Sequence, residues 1–336
     1  MNKLAYYCEM AGKITSFKLL PKAANYLKYK MIKPKARVSC YTPQIAALQS
    51  TNQCNLRCGY CRLTRDGIFD EKKQEMTIEM VQKIFSHPLL KNAVLVDILG
   101  GEPLLCNDFI NIVAFLSSRG YLTNFSTNGL LLANKVMDLK KAKITRINVS
   151  IYPENINLLR KNLKDINGIF PVHVSYVLTK SQLEQNPEEI LQIVEMTKRS
   201  GCKSLRFWMF RPLGKNPDFN EVVTNELYAY KIFSSEIKNK FKDYVLLPSM
   251  TSVSERQIRE KKCRQLWQRI NISAKGEIAP CCGGFPALSE VNIFSSTLDE
   301  IYNHPAVIKI RENLLDKTIP ALEVCQSCNL LNEKGW

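Results

Sequence analysis

From about residue 46 to 212 the chain alternates short apolar runs with amphipathic stretches, and this alternation narrows the fold more than any other feature. The runs IAALQS (45–50), AVLVDIL (93–99), LTNFS (122–126), RINVSIY (146–152), VHVSYVL (172–178) and SLRFWMF (204–210) have strand character. Helical periodicity lies between them, as at 77–86, 108–118 and 187–200. Asn107 and Asn186 precede acidic first turns, which marks helix entry. Six strand–helix repeats imply parallel strands with crossover helices, an α/β fold of the partial (β/α)6, TIM-like barrel kind. Ligands in such folds bind at the carboxyl ends of the strands.

The flanks read differently. Residues 1–45 form a basic helical extension, with Leu19, Leu20, Ala24 and Leu27 as an apolar stripe beside lysines, and Pro34 and Pro43 punctuate a linker. Residues 1–53 hold nine basic side chains against Glu9 alone, half of the formal charge of +16. A solvated helix face and a surface for a membrane or phosphate-bearing substrate both fit that excess, so peripheral membrane contact is an expectation. No apolar run approaches the ~20 residues of a membrane span and no secretory signal opens the chain, which predicts a cytoplasmic protein. No groove-reading helix or aromatic RNA-binding signature is present, so no nucleic-acid partner is expected. Residues 213–262 read as a polar helical connector. Residues 263–336 are poor in helix signals and rich in Cys and Gly, a composition that needs a metal to hold it.

Twelve cysteines in a reducing compartment point to metal binding or chemistry rather than disulfides. Seven fall into two groups: Cys54, Cys58 and Cys61 on one loop after the first strand, and Cys263, Cys281, Cys325 and Cys328 in the last segment. A [4Fe–4S] cube takes four cysteines. Three thiolates therefore leave one iron without a protein ligand, open to a small molecule. A structural zinc would want a fourth ligand close by, and the rival of a zinc knot stays open for the second group. Cys8, Cys40 and Cys202 read as small apolar filler. Cys282 does not easily join the same cube as Cys281, and Cys106 stands between filler and a hydrogen donor to a substrate radical.

The CX3CX2C spacing, with aromatic Tyr60 before the last cysteine, resembles the radical S-adenosylmethionine (SAM) superfamily. Leu99-Gly100-Gly101-Glu102-Pro103 at the end of the second strand is similar to that superfamily's GGEP motif. The resemblance implies a SAM-binding [4Fe–4S] cluster on Cys54, Cys58 and Cys61. It also implies reductive cleavage of SAM to a 5′-deoxyadenosyl radical, with an external electron donor such as flavodoxin or ferredoxin. It assigns the methionine amino group to the Gly100–Gly101 backbone and Glu102, and adenine to the neighbourhood of Tyr60. Polar SAM or substrate contacts fall to Ser126, Asn128 and Ser150, and the SAM carboxylate or an acidic substrate group to Arg211. For Ser126, Asn128, Ser150 and Arg211 a turn or capping role is the structural alternative.

Cys263, twelve residues, Gly276, four residues and Cys281 resemble the opening of SPASM and twitch domains, which carry auxiliary [4Fe–4S] clusters. With Cys325 and Cys328 the set suffices for one auxiliary cluster, and the spacing looks like that of twitch dehydrogenases. The implied reaction is hydrogen abstraction from a hydroxyl-bearing carbon of a sugar-like small molecule, phosphate- or lipid-linked in view of the basic extension. The ketyl radical left after proton loss passes its electron to the auxiliary cluster, giving a carbonyl. A peptide maturase forming crosslinks or epimers is the alternative. The short N-terminal extension and Ser150-Ile-Tyr-Pro-Glu154 in place of an SLDG-like segment count against it. A non-catalytic iron–sulfur or zinc module would leave the GGEP segment unexplained.

Overall fold

The computed structural model describes residues 21–22, 24–25, 27–28, 38–39, 42–68, 71–210, 219–247, 265–281 and 287–316. Arg211, Cys263, Cys325 and Cys328 lie outside the described residues, as do Cys8, Cys40 and Cys282.

All six expected strands are present: β1 (Ile45–Gln49), β2 (Leu95–Leu99), β3 (Leu122–Thr127), β4 (Arg146–Ile151), β5 (His173–Leu178) and β6 (Leu205–Met209). They pair in sequence order and in parallel. Crossovers run through α1 (Arg62–Arg65) and α2 (Ile78–Ser86), then α3 (Phe109–Ser118), α4 (Leu132–Lys141) and α5 (Ile156–Ile169), and finally α6 (Lys180–Gln185) and α7 (Pro187–Arg199). The Thr77 side chain caps α2, and Thr179 with Gln182 closes a capping box on α6. The expected asparagine entries work otherwise. Asn186 precedes α7 without a side-chain cap, leaving Glu188 and Glu189 to face the positive helix end. Asp108, rather than Asn107, adjoins α3, and its carboxylate accepts the Ile78 amide, 2.9 Å, tying α3 to α2.

Strand residues alternate in character, as a pleat demands. Ala46, Leu48, Val96, Ile98, Phe125, Ile147, Val149, Val174 and Phe207 are fully buried, in one core with Val81 and Ile84 of α2, Val113 of α3 and Leu159 of α5. The opposite face, the inside of the partial barrel, is polar. Register aligns Asp97 with Asn124 and Arg146, Ser126 with Asn148, and Ser150 with Ser175 and Arg206. Most of these are only half-buried.

The sheet continues beyond the six expected strands. After α8 (Tyr228–Phe241), strand β7 (Val245–Leu246) extends the sheet beyond β6. After the short helix α9 (Gln265–Gln268), β8 (Arg269–Ile272) pairs in parallel with β1 and turns back into antiparallel β9 (Ile278–Ala279). The order is therefore β7-β6-β5-β4-β3-β2-β1-β8-β9. The connector and the start of the cysteine-rich segment are built onto the barrel sheet. Nor is that last segment helix-poor: α10 (Leu298–Tyr302) and α11 (Pro305–Leu315) pack on it. Fully buried Arg311 of α11 donates to Leu266 O and to Asn303 Oδ1, which fixes the approach to β8.

The N-terminal stripe is also corrected. Residues 21–22, 24–25 and 27–28 are helical, but Ala24 and Leu27 point outward and the polar Lys22 and Asn25 are buried. Hydrogen bonding decides this. Asn25 donates to Thr42 O and Asn92 O, while Lys22 Nζ donates to Arg119 O and sits 3.2 Å from the centre of the Tyr121 ring. Residues 1–20, which carry the remainder of the expected stripe, lie outside the described residues. Among the described residues no helix is long and apolar enough to cross a membrane.

Candidate functional site

The loop after β1 carries Cys54, Cys58 and Cys61, and it is held in place by backbone pairing. Gly101 N donates to Thr51 O and Glu102 N to Gln53 O, both at 2.8 Å, so the β1–β2 ladder runs on past the strand ends. Glycines are required there. A Cβ on Gly101 would stand 2.1 Å from Gln53 O, and one on Gly100, whose φ is +153°, would stand 2.5 Å from Thr51 O. The other flank is pinned by buried Asn52, whose side chain donates to Lys72 O and accepts from Gln74 N. The two glycines thus serve first to bring the cysteine loop against β2.

Within the loop, Cys61 N donates to Cys58 O, Leu56 N to Cys54 Sγ, and Arg57 to Cys54 O. Burial raises the Cys54 thiol pKa and pushes that of Cys58 up to about 12. A metal centre bound there would have to displace those protons. Among the described residues no three His, Cys, Asp or Glu side chains form a single-ion site. A cube that takes each cysteine at a different iron does not need its ligands to meet at one point. The donor set fits an iron–sulfur cluster.

Glu102 is held by the fold itself. It is 1 % exposed, and its carboxylate accepts from Leu104 N (3.1 Å), Thr127 Oγ1 (2.7 Å) and Asn128 N (2.7 Å). Burial raises its pKa while these donors pull it back. The side chain locks the end of β2 to the end of β3.

Asn128, at the end of β3, is the bridge from that lock to the cluster loop. Its Nδ2 donates to Asn55 Oδ1 at 2.7 Å and lies 4.0 Å from Cys54 Sγ. Asn155, fully buried, donates to Asn128 O and Ser150 O and accepts from Tyr152 N. Nothing in the sequence pattern singled out Asn155 or Thr127. Tyr60 packs on Tyr152 with ring centres 5.6 Å apart, and burial raises both phenols' pKa values.

Ser126 and Ser150 belong to a row on the inner face. Asn148 Nδ2 donates to Ser175 Oγ (3.0 Å) and to Ser126 Oγ (3.4 Å), and the Ser150 and Ser175 hydroxyls are 3.3 Å apart. Nearer β1, Asn124 donates to Asp97 (2.7 Å), which pairs with Arg269 of β8 at 2.9 Å.

Cys106 is corrected to a core residue. It is 1 % exposed, inside the cluster of Met76, Leu104 and Phe109, and its thiol donates to Met76 O. Cys202 is core as well, accepting from Asn167. Of the second cysteine group only Cys281 is described, half-buried just beyond β9. Gly276 turns the β8–β9 hairpin with φ +79°, its amide donating to Ser273 O, where a Cβ would stand 2.4 Å from Asn292 Oδ1.

Comparison with known proteins agrees with this site. The radical SAM superfamily profile matches residues 48–224, and that of an iron–sulfur cluster-binding SPASM domain matches residues 263–329. The GTP 3′,8-cyclase of Alkaliphilus oremlandii is 26 % identical over 77 % of this chain and 85 % of its own. The probable GTP 3′,8-cyclase of Saccharolobus islandicus is 26 % identical over 69 % and 80 %. Among solved structures, Streptococcus suis SuiB bound to S-adenosylmethionine superimposes with a TM-score of 0.63 at 18 % identity, covering 88 % of this chain and 75 % of that one. SuiB bound to its precursor peptide SuiA gives 0.64 at 18 % identity, over 94 % and 75 %. Three thiols on a loop locked to a GGE segment, on a parallel α/β barrel, make this chain a member of the radical SAM superfamily, with a C-terminal SPASM iron–sulfur domain.

Proposed function

We propose that the enzyme oxidises a hydroxylated small molecule held on the polar inner face of the barrel, taking hydrogen from a carbon that bears a hydroxyl. The observation that carries this reading is the row Ser126, Asn148, Ser150 and Ser175. These small donors and acceptors stand on β3, β4 and β5, and the end of β3 is joined to the cysteine loop through Asn128. When bound, the cluster and SAM together supply the means of removing a hydrogen atom from an unactivated carbon.

The chain's own residues do the positioning. Cys54, Cys58 and Cys61 hold the cluster. The backbone around Gly100 and Gly101 receives the methionine end of SAM, with Glu102 fixing that backbone from behind. Tyr60, packed against Tyr152, borders the adenine, and Ser126 and Ser150 orient hydroxyls. Cys263, Cys281, Cys325 and Cys328 hold one auxiliary cluster, fully cysteine-ligated and so suited to accepting an electron. A flavodoxin- or ferredoxin-type donor supplies the first electron.

One observation favours a second outcome from the same start. The relatives named GTP 3′,8-cyclase align over most of the chain, and ring closure of a nucleotide also begins by hydrogen removal. Product mass separates the two. Anaerobic protein with both clusters, SAM and dithionite is supplied with C-deuterated sugar phosphates, cyclitols and nucleotides. Dehydrogenation predicts deuterium in 5′-deoxyadenosine and a product two mass units below the unlabelled substrate. A cyclised product without that loss would overturn it, and turnover of a peptide alone would remove the small-molecule reading.

A further inference from the structure

We infer that Asn128 raises the reduction potential of the cluster on Cys54, Cys58 and Cys61 by giving a hydrogen bond to the Cys54 sulfur. It acts through Cys54 as a positioning residue, and the effect bears on the first electron transfer whichever molecule is turned over.

Asn128 stands where β3 ends, 5 % exposed. Its backbone N donates to Glu102 Oε2 at 2.7 Å, and its carbonyl accepts from Asn155 Nδ2 at 2.6 Å. Those two bonds hold the residue from both sides. The side-chain amide is oriented just as firmly. Its Oδ1 accepts from Leu130 N at 3.0 Å, while Nδ2 donates to Asn55 Oδ1 at 2.7 Å. Exchanging the oxygen and nitrogen would set two donors against each other at Leu130.

An amide NH2 carries two protons. One goes to Asn55, and the second is left for Cys54 Sγ, 4.0 Å away. The Leu56 amide approaches the same sulfur at 3.4 Å. Among the described residues, Cys54 is the one cysteine of the triplet with a side-chain donor on its sulfur.

Charge gives the direction. Reduction adds a negative charge that the cluster shares with its thiolate ligands. An N–H dipole aimed at a ligand sulfur stabilises that charge, and hydrogen bonds to the sulfurs tune such potentials. Burial strengthens the effect, because little water is present to screen the dipole. A carboxylate in the same place would act in reverse.

The test reads the potential itself. Protein is reconstituted without oxygen, its iron is counted, and the reduced cluster is followed by EPR at poised potentials in the absence of SAM. A Cys54→Ala, Cys58→Ala, Cys61→Ala variant identifies the signal of the auxiliary cluster. Asn128→Leu should lower the potential by about 59 mV, which is about tenfold in the one-electron equilibrium. Asn128→Asp keeps the shape, should lower it further, and serves if the leucine variant loses its cluster. Asn167→Leu is the matched control. Asn167 Nδ2 donates to the core sulfur of Cys202 at 3.2 Å, so this variant loses an N–H···S bond and stability but should keep the potential. A wild-type potential in either Asn128 variant at full iron content would overturn the inference, as would an equal shift in Asn167→Leu. Loss of the cluster from both Asn128 variants would assign the residue to holding the loop alone and overturn it too. No substrate enters the measurement, so its failure and that of the oxidation reading are told apart.

Discussion

Asn128 Nδ2 donates to Asn55 Oδ1 across 2.7 Å, joining the end of β3 to the cysteine loop, while Asn155 takes the Asn128 carbonyl at 2.6 Å from the other side. The cluster loop is thus stitched to the ends of β3 and β4 by amide side chains. Asn155→Ala leaves Asn128 O, Ser150 O and Tyr152 N without their partner in a fully buried position. It should cost about 2–4 kcal/mol in urea unfolding and lower the iron bound per chain on reconstitution. Stability and iron content equal to the parent's would show that the stitch does not matter.

Glu102 gives a sharper contrast. If its carboxylate mainly bound the SAM ammonium, Glu102→Gln would weaken SAM and spare the fold. The three internal donors predict the opposite emphasis, a loss of about 2–3 kcal/mol in thermal or urea unfolding, because Gln brings an NH2 group against existing donors. Unchanged stability with lost SAM affinity by calorimetry would restore the outward role.

Two glycines of the site should part company. Gly101→Ala sets a methyl 2.1 Å from Gln53 O, whereas an added Cβ on Gly59, inside the cysteine triplet, meets nothing within 4 Å. The first should cost about 2–4 kcal/mol and most of the cluster, the second about 0.5 kcal/mol or less. Parity between them, read by thermal unfolding and iron assay, would contradict the close approach of the two loops.

Lys22 predicts a pH dependence. Burial lowers its pKa from 10.5 to about 7. Between about pH 7 and 10.5 the unfolded chain therefore holds a proton that the folded chain has released, so stability from this group rises with pH across that window and is lowest below it. The Tyr121 ring favours the charged form and trims the effect to about 1–3 kcal/mol. Lys22→Met should be at least as stable as the parent at pH 7 and should lack that rise. A parallel pH profile for the two proteins would refute the assignment.

Strands and crossovers were legible because the core-facing side of most strands is apolar, as in Val96 and Ile98 or Ile147 and Val149. The cysteine triplet was legible because spacing on one loop is a local property. What escaped was set by distant partners. Glu102 finds Thr127 and Asn128 some 25 residues on, so its part in tying β2 to β3 has no local sign in the motif. Cys106 carries no mark of its burial against Met76. Lys22 and Asn25 reversed the expected apolar stripe because backbone carbonyls at Arg119, Thr42 and Asn92 await them. Strand β8 was hidden because Arg269-Ile-Asn-Ile272 is short and half polar, its polar residues facing Asp97 and the hairpin.

The most direct measurement is made on protein purified and reconstituted without oxygen, with iron and sulfide counted and 5′-deoxyadenosine quantified after adding SAM and dithionite. Wild type should bind two [4Fe–4S] clusters and form 5′-deoxyadenosine. A Cys54→Ala, Cys58→Ala, Cys61→Ala variant should keep one cluster and form none. Zinc in place of iron, or 5′-deoxyadenosine from the triple variant at the wild-type rate, would contradict the assignment of the cysteine loop.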